Sequence, residues 1–184
     1  TKFTQKKQLI DLLNHNIPVI AEVPFIREVK DLNIFNTFSR DMLSESIRML
    51  NANISFLFKV NEEHSSTVTL VTSSIKGEGK TLISVNYASS IASGDSKVLL
   101  LGADLRNPQL HKFFNEEKSN LKGISDYIYG KNHNWRDLIY NKDISFDILF
   151  SGTIPPNPTE LLASERFATL LEELKGVYDH IIID

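Results

Sequence analysis

Cysteine is absent from the 184 residues of this sequence. Without it, a disulfide framework, a thiolate metal site and a cysteine nucleophile are all excluded for this chain. No apolar run approaches the ~20 residues that a membrane-spanning helix needs. The first residues, TKFTQKKQLI, do not resemble a secretory signal peptide. We therefore expect an intracellular protein.

Excess charge of either sign is also missing. The formal net charge is −3, with 23% charged and 41% hydrophobic residues, which is ordinary for a globular protein. No basic surplus favours nucleic-acid binding, so nucleic acid is not an expected partner. The five histidines are scattered without the spacing of metal ligands. The length predicts one domain with a sizeable core.

A glycine-containing loop stands between an apolar strand and a helix in TSSIKGEGKTLISVNYA, residues 72–88. Gly77 and Gly79 allow the backbone to turn so that successive N–H groups point inward, towards an anion at a helix N-terminus. Lys80 is placed to reach the β- and γ-phosphates of a nucleotide, and the Thr81 hydroxyl to bind the accompanying Mg²⁺. The segment therefore predicts a phosphate-binding loop for a nucleotide.

The loop departs from the common pattern at one position, because Ser74 stands where a glycine is usual. A small residue can still make the turn, so we interpret the loop as a variant. The alternative is an ordinary strand-to-helix turn with a solvated lysine. The nucleotide-binding residues expected in this segment are Ser74, Lys76, Gly77, Glu78, Gly79, Lys80, Thr81 and Leu82.

Hydrophobic patterning predicts alternating strands and helices. We expect strands at 18–23, 67–72, 98–101, 146–150 and 180–184, and helices at 4–14, 39–54, 80–92, 123–130, 134–140 and 158–175. Continuous apolar strands separated by helices indicate an α/β protein, in which helices cover both faces of a parallel sheet. Ligands of such sheets bind beyond the carboxyl ends of the strands. Asp104 and Asp184 follow two of these strands, which predicts one magnesium–nucleotide site.

Three segments together resemble a known family. SSIKGEGKT resembles a Walker A loop, VLLLGADLRNP the modified Walker A′ segment, and YDHIIID the start of a Walker B segment. Three further segments are similar to parts of the bacterial tyrosine kinases of capsule and exopolysaccharide export. They are SGTIPPNPTELLASERFATLLEELKGVYD, IPVIAEVPF and ESIRMLNANI. The resemblance covers nearly the whole chain and indicates the cytoplasmic kinase domain of a polysaccharide co-polymerase.

This resemblance implies a P-loop NTPase-type fold whose C-terminal part is missing here. Residues 1–184 would form a single kinase domain, with residues 1–60 supplying helices and a short strand for subunit contacts and 61–184 forming the nucleotide-binding core. The implied function is an ATP-dependent tyrosine autokinase that regulates polysaccharide polymerisation and export. Its implied partners are a tyrosine of a neighbouring subunit in a homo-oligomeric ring and a membrane-spanning segment before residue 1, in the inner membrane.

The resemblance also implies site roles. Lys80, Asp104 and Asp184 would be the catalytic residues, and Thr81, Asp104 and Asp184 would hold Mg²⁺. Arg106 would stabilise its segment or contact the nucleotide. A plainer alternative is that Asp104 and Arg106 form an ion pair that stabilises a turn.

Residues that match the family's subunit-contact motif lie in the 39–54 helix. Glu45 and Arg48 match the start of a Glu-x-x-Arg-x-x-Arg motif, but Asn51 replaces its last arginine. The alternative is a simple i,i+3 pair within one helix, which contributes only about 0.2–0.5 kcal/mol.

The A′ segment contains the main departure from the family. Its first acid, a candidate to accept the proton of the attacking tyrosine, is replaced by Gly102. This leaves Asp104 or Asp184 for that task, or weakens catalysis. We expect the Gly102 position to open towards the phosphates, since it follows an apolar strand. The five tyrosines are not clustered, so the family's tyrosine-rich tail is absent from these residues.

Two other functions remain open. A partitioning-type regulatory ATPase shares the loop and the sheet, but Lys76 is out of register with the extra lysine of those proteins, and PPNPTELL is not typical of them. A nucleotide-sensing module that lacks phosphate transfer is the second, because Gly102 replaces an acid.

Overall fold

A computed structural model describes residues 17–26, 39–58, 66–117, 121–130 and 134–184. The chain divides into two compact units, residues 1–62 and 63–184. The helix predicted at 4–14 lies outside the described residues. No helix in the described ranges is long and apolar enough to cross a bilayer.

The first unit contains one described helix, α1, at Met42–Phe58. It begins three residues later than predicted because Asp41 caps it, with the Ser44 N–H donating to Asp41 Oδ1 at 2.9 Å. Hydrogen bonds, chiefly from the Ser39 hydroxyl and then from Ser44, lower the pKa of Asp41 to about 2. The strand predicted at 18–23 is wrong, since residues 17–26 form no strand. The Ile20 carbonyl instead accepts from Asn53 Nδ2 at 2.5 Å.

The second unit is built on a five-stranded sheet of order β1-β5-β2-β4-β3. Its strands are β1 (Thr67–Leu70), β2 (Val98–Leu101), β3 (Ile139–Tyr140), β4 (Asp147–Leu149) and β5 (His180–Ile183). Its helices are α2 (Lys80–Ala92), α3 (Ile124–Tyr129), α4 (Pro158–Leu162) and α5 (Glu165–Lys175), with 3₁₀ turns at Leu110–Phe114 and Trp135–Leu138.

Helices cover both faces of the central strand β2, as predicted. All four of its residues are buried. Leu99 and Leu101 share a core cluster with Leu170 and Leu174 of α5. Alternation directs Leu100 to the other face, where it is also fully buried, and α2 packs against this strand.

The sheet is parallel-dominated but mixed. β1, β5, β2 and β4 run parallel, whereas β3 pairs with β4 antiparallel, with Ile139 opposite Leu149. The single helix predicted at 134–140 is therefore wrong in its second half. The antiparallel pairing arises because the connection from β3 to β4 reverses the chain within a few residues, too few for a parallel crossover.

The single helix predicted at 158–175 is divided in the structure into two helices, α4 and α5. Ser164 interrupts it and caps α5, with the Phe167 N–H donating to its hydroxyl at 3.2 Å. Asn157 precedes α4 as predicted, but its side chain makes no capping bond. Its Oδ1 accepts from the Tyr129 hydroxyl, and its Nδ2 donates to Glu160 at 2.7 Å. Pro158 occupies the first turn of α4 as predicted.

Candidate nucleotide site

The loop between β1 and α2 has the backbone that the sequence predicts. Gly77 and Gly79 adopt left-handed conformations, with φ of +89° and +90°, which other L residues rarely adopt. The Glu78 carboxylate folds back on the loop, where its Oε2 accepts from the backbone N–H of Ser74 at 2.8 Å and of Ile75 at 3.1 Å. The first half of the loop is thus braced from within, although Ser74 replaces the usual glycine.

Lys80, in the first turn of α2, lies close to two carboxylates. Lys80 Nζ lies 3.1 Å from Asp104 Oδ2 and 3.9 Å from Asp184 Oδ1. Asp104 follows β2 and Asp184 follows β5, which pair in parallel with Leu101 opposite Ile183. This pairing explains why residues 80 positions apart in sequence share one edge of the sheet. The structure therefore brings the three predicted catalytic residues together.

Two hydroxyl groups of α2 hold the Asp184 carboxylate, whose side chain is only 2% exposed. Thr81 Oγ1 donates to its Oδ2 at 2.9 Å. Ser84 Oγ lies 3.1 Å from its Oδ1. Burial raises the pKa of Asp184, and the Asp104 charge adds to this effect, while Lys80 and the two hydroxyls only partly offset it.

Asp104 lies in a wetter position, with 27% of its side chain exposed. Burial alone would raise its pKa, but the Asn107 N–H at 2.9 Å, the Lys80 ammonium and the Arg106 N–H at 3.2 Å outweigh that effect. The net pKa of Asp104 is lowered, so this carboxylate is ionised at neutral pH. The two aspartates thus differ in environment, because Asp184 is buried and Asp104 is partly solvated.

Arg106 does not form the ion pair with Asp104 that was the plainer alternative for these two residues. Its guanidinium donates instead to Thr159 Oγ1 at 3.0 Å, while only its backbone N–H reaches the carboxylate. The side chain therefore joins the segment after β2 to the first turn of α4. The resemblance implies that Arg106 either stabilises its segment or contacts the nucleotide, and this contact agrees with the first role.

The Gly102 position is closed rather than open towards phosphates, contrary to expectation. A Cβ there would lie 3.2 Å from Leu110 Cδ2 and 3.3 Å from the Ser151 backbone nitrogen. Both distances are tighter than ordinary van der Waals contact. The 3₁₀ turn that carries Leu110 was not predicted, and it is this turn that fills the space.

Glu45 and Arg48 pair within α1. Arg48 Nη2 lies 2.7 Å from Glu45 Oε1 and also donates to the Ser39 carbonyl at 2.7 Å. The hydrogen bond from Arg48 lowers the pKa of Glu45. The plainer alternative, an intrahelical pair, is therefore observed, and a subunit contact through this pair stays a prediction.

The oxygen groups at this edge suit Mg²⁺ together with a nucleotide. No group of three or more His, Cys, Asp or Glu residues that could hold a metal occurs in the described parts of the chain. Mg²⁺, however, is usually held by one or two carboxylates, substrate phosphates and water. Asp104, Asp184 and the Thr81 hydroxyl supply such a partial set beside the phosphate loop. These residues fit the metal only when a nucleotide supplies the remaining ligands.

Two residues of this edge escape prediction from sequence. Ser84 lies one helical turn beyond Thr81 on the same face of α2, a spacing that could have indicated a shared target. Thr159 is positioned by the chain that follows β4, and no local signal connects it to Arg106.

Comparisons with known proteins agree with this geometry. No family model matches the sequence. The chain is 34% identical over 194 aligned positions to the tyrosine-protein kinase Etk of Escherichia coli K12, with 94% of this chain and 26% of Etk aligned. It is 36% identical over 146 positions to a putative tyrosine-protein kinase in the cps region of Klebsiella pneumoniae, which covers 78% of this chain and 19% of that protein. The chain thus spans only 26% and 19% of the length of these two relatives.

A solved structure is similar over a larger share of its length. The kinase domain of the Escherichia coli tyrosine kinase ETK superposes with a TM-score of 0.78 and 30% identity, covering 94% of this chain and 70% of that one. Similar sequence and similar fold therefore point to the same group of proteins. The chain belongs to the family of bacterial tyrosine-protein kinases.

Proposed function

We propose that this chain is the catalytic part of an ATP-dependent protein-tyrosine autokinase. The observation that supports it most is the convergence of Lys80 with Asp104 and Asp184 beside a loop whose two glycines adopt left-handed backbone conformations. Phosphoryl transfer asks a protein mainly for positioning and charge stabilisation. A cation and two acids beside a glycine loop at a helix N-terminus can supply both.

The reaction is transfer of the γ-phosphoryl group to a tyrosine. The tyrosine oxygen forms a bond to the γ-phosphorus, the bond to the β,γ-bridging oxygen breaks, ADP leaves, and the phenolic proton is released. Lys80 and the loop N–H groups stabilise the charge that develops on the phosphates. Thr81, Asp104 and Asp184 would hold Mg²⁺, which would further neutralise the phosphate oxygens.

Asp104 is the better placed of the two acids to orient the tyrosine hydroxyl. It is ionised at neutral pH and partly exposed, and its Oδ2 accepts from the flexible Lys80 side chain, while backbone N–H groups donate to its Oδ1. Asp184 is buried, and hydroxyls occupy both of its oxygens. Asp104 therefore takes over the role that the family assigns to the acid replaced by Gly102, and Asp184 remains the alternative.

The same family membership supports a wider setting for the chain. We infer that it is the cytoplasmic domain of an inner-membrane protein, with a membrane-spanning co-polymerase segment N-terminal to it. It would act in a homo-oligomeric ring in which a tyrosine of a neighbouring subunit is phosphorylated, and so regulate capsular or extracellular polysaccharide polymerisation and export. A relative from a cps region supports this setting.

One observation favours a second candidate function. Gly102 replaces the acid, and a side chain there would crowd Leu110 and the Ser151 backbone, as expected of a nucleotide-sensing module with little catalysis. Incubation with γ-labelled ATP and a tyrosine peptide separates the possibilities. Label on tyrosine supports the kinase, release of inorganic phosphate alone supports a partitioning-type ATPase, and nucleotide binding without either product supports the sensor.

A further inference from the structure

Ser84 lies on the buried face of α2, one turn after the loop threonine. The residue has no exposed surface. Its Oγ is 3.1 Å from Asp184 Oδ1 and 3.0 Å from the Lys80 carbonyl oxygen. It therefore stands between the helix backbone and the acid that ends β5.

The hydroxyl has a single proton and two acceptors within reach. A charged carboxylate is the stronger acceptor, since hydrogen bonds to ionised groups are about twice as strong as neutral ones. The bond to the Lys80 carbonyl is the weaker i−4 contact that buried serines make in helices. The proton is thus directed to Asp184 whenever that carboxylate is ionised.

The Thr81 hydroxyl holds the other oxygen of Asp184 at 2.9 Å. In the proposed function this hydroxyl also serves Mg²⁺, so its orientation depends on the metal. Ser84, in contrast, lies in the interior and has no metal role. Its bond fixes the carboxylate from the dry side, independently of what binds at the open side.

We propose that Ser84 is a positioning residue for Asp184, which it holds in the orientation that Mg²⁺–nucleotide binding requires. The inference rests on the proposed function, because it presumes that Asp184 serves a magnesium–nucleotide complex. Residues that orient metal ligands in this way typically change metal affinity 10–100-fold when they are removed.

The test compares Ser84→Ala with wild type in the intact protein, by calorimetric titration with ADP at a series of free Mg²⁺ concentrations. We expect ADP affinity in EDTA to stay within about twofold, since no phosphate contact is lost. The free Mg²⁺ concentration for half-maximal strengthening of ADP binding should rise about tenfold. Ser84→Thr keeps a hydroxyl at the same place and should therefore have a Mg²⁺ midpoint close to that of wild type.

Ser90→Ala is the matched control. Ser90 is a serine of the same helix with a similar burial, 5% exposed, and lies about 9 Å further along the axis. It should leave the Mg²⁺ midpoint unchanged. If Ser84→Ala does not fold, Ser84→Cys, which has a much weaker donor of similar size, carries the same comparison.

Two results would overturn the inference: an unchanged Mg²⁺ midpoint in Ser84→Ala, or an equal shift in Ser90→Ala. If wild type itself binds ADP without any dependence on Mg²⁺, the proposed magnesium–nucleotide site fails, and the role of Ser84 fails with it. If ADP binding by wild type depends on Mg²⁺ and Ser84→Ala has the same Mg²⁺ midpoint, only the role of Ser84 is refuted.

Discussion

The Lys80 ammonium lies 3.1 Å from Asp104 Oδ2 and thereby joins the helix after the phosphate loop to the segment after β2. The side chain is 27% exposed, so it has room to move to an incoming phosphate. In the proposed function, nucleotide binding exchanges the carboxylate partner of Lys80 for a phosphate partner. That exchange would release Asp104 for Mg²⁺ or for the tyrosine hydroxyl.

Lys80→Met is expected to weaken ATP binding by about tenfold or more and to abolish transfer. A charge-assisted hydrogen bond contributes about 1.5–3 kcal/mol, and the substitution also leaves two carboxylates facing the phosphates without their cation. Calorimetry with a non-hydrolysable ATP analogue measures the change. Lys175→Met removes an exposed lysine of α5 that pairs with Glu172 and serves as the control. Equal affinity in Lys80→Met and wild type would remove Lys80 from the site.

Glu78 offers a test of the internal brace. Glu78→Gln keeps an acceptor oxygen for the N–H groups of Ser74 and Ile75 but removes a negative charge beside the phosphates, so it should bind ATP at least as tightly as wild type. Glu78→Ala removes the acceptor as well and should bind a few-fold more weakly than Glu78→Gln, since each neutral bond contributes about 0.5–1.5 kcal/mol. Calorimetry measures both. Equal affinities of the two variants would show that the brace contributes nothing.

Glu45→Ala and Arg48→Ala are expected to lower self-association while nucleotide binding stays intact. The reason is their match to the family's subunit motif on α1. Light scattering on the intact protein gives the assembly mass. Glu172→Ala breaks an i,i+3 pair of the same 2.7 Å length on α5 and controls for loss of a surface pair. If all three variants keep the wild-type mass, the pair in α1 is only an intrahelical contact.

Gly102→Asp tests whether this protein has lost a catalytic base. The closed position means that the single substitution should destabilise the fold by about 1–3 kcal/mol, as overpacking does. Leu110→Val removes the tight Cδ2 contact, although the Ser151 backbone nitrogen stays close. The informative comparison is therefore Gly102→Asp/Leu110→Val against Leu110→Val alone. A well-placed base would raise the rate of tyrosine phosphorylation by up to 10²–10⁴-fold. An unchanged or lower rate at saturating Mg²⁺–ATP would leave the proton acceptor at Asp104 or Asp184.

Stability should depend on pH through His180 of β5. Burial lowers the pKa of this half-buried imidazole below the ordinary 6.5, and the Asp179 charge only partly opposes it. The folded state favours the neutral ring, so this contribution is fully present above pH 6.5 and is lost as pH falls through the lower folded pKa. Urea unfolding should therefore show a smaller loss of stability between pH 7.5 and 5.5 in His180→Gln than in wild type. Parallel losses in both proteins would contradict the assignment.

The parts of the fold that sequence predicts are those with strong local signals. The run Val98–Leu101 is a buried strand as predicted, and α2 has the predicted bounds at Lys80 and Ala92. Local signals sufficed because the strand is uniformly apolar and because a glycine loop precedes the helix. The rule that ligands bind at strand ends predicts that Asp104 and Asp184 lie at one site, and the structure has both beside Lys80.

The missed parts depend on tertiary contacts. The residues of β3 become a strand only because β4 offers an antiparallel partner, and Leu110 is directed onto Gly102 by a 3₁₀ turn without a distinct sequence signature. The break at Ser164 was missed because helix formers continue across it, although serine is a favoured cap. The position of Gly102 at the end of a strand does not by itself predict that Leu110 closes it.

Phosphotyrosine formation by the intact protein tests the central claim most directly. The purified protein is incubated with Mg²⁺ and γ-labelled ATP, hydrolysed in acid and separated into its phosphoamino acids, beside Lys80→Met as the inactive comparison. The proposed kinase predicts labelled phosphotyrosine in wild type, none in Lys80→Met and none when EDTA removes Mg²⁺. Wild type that binds ATP but yields no phosphotyrosine, or Lys80→Met that yields as much as wild type, would contradict it.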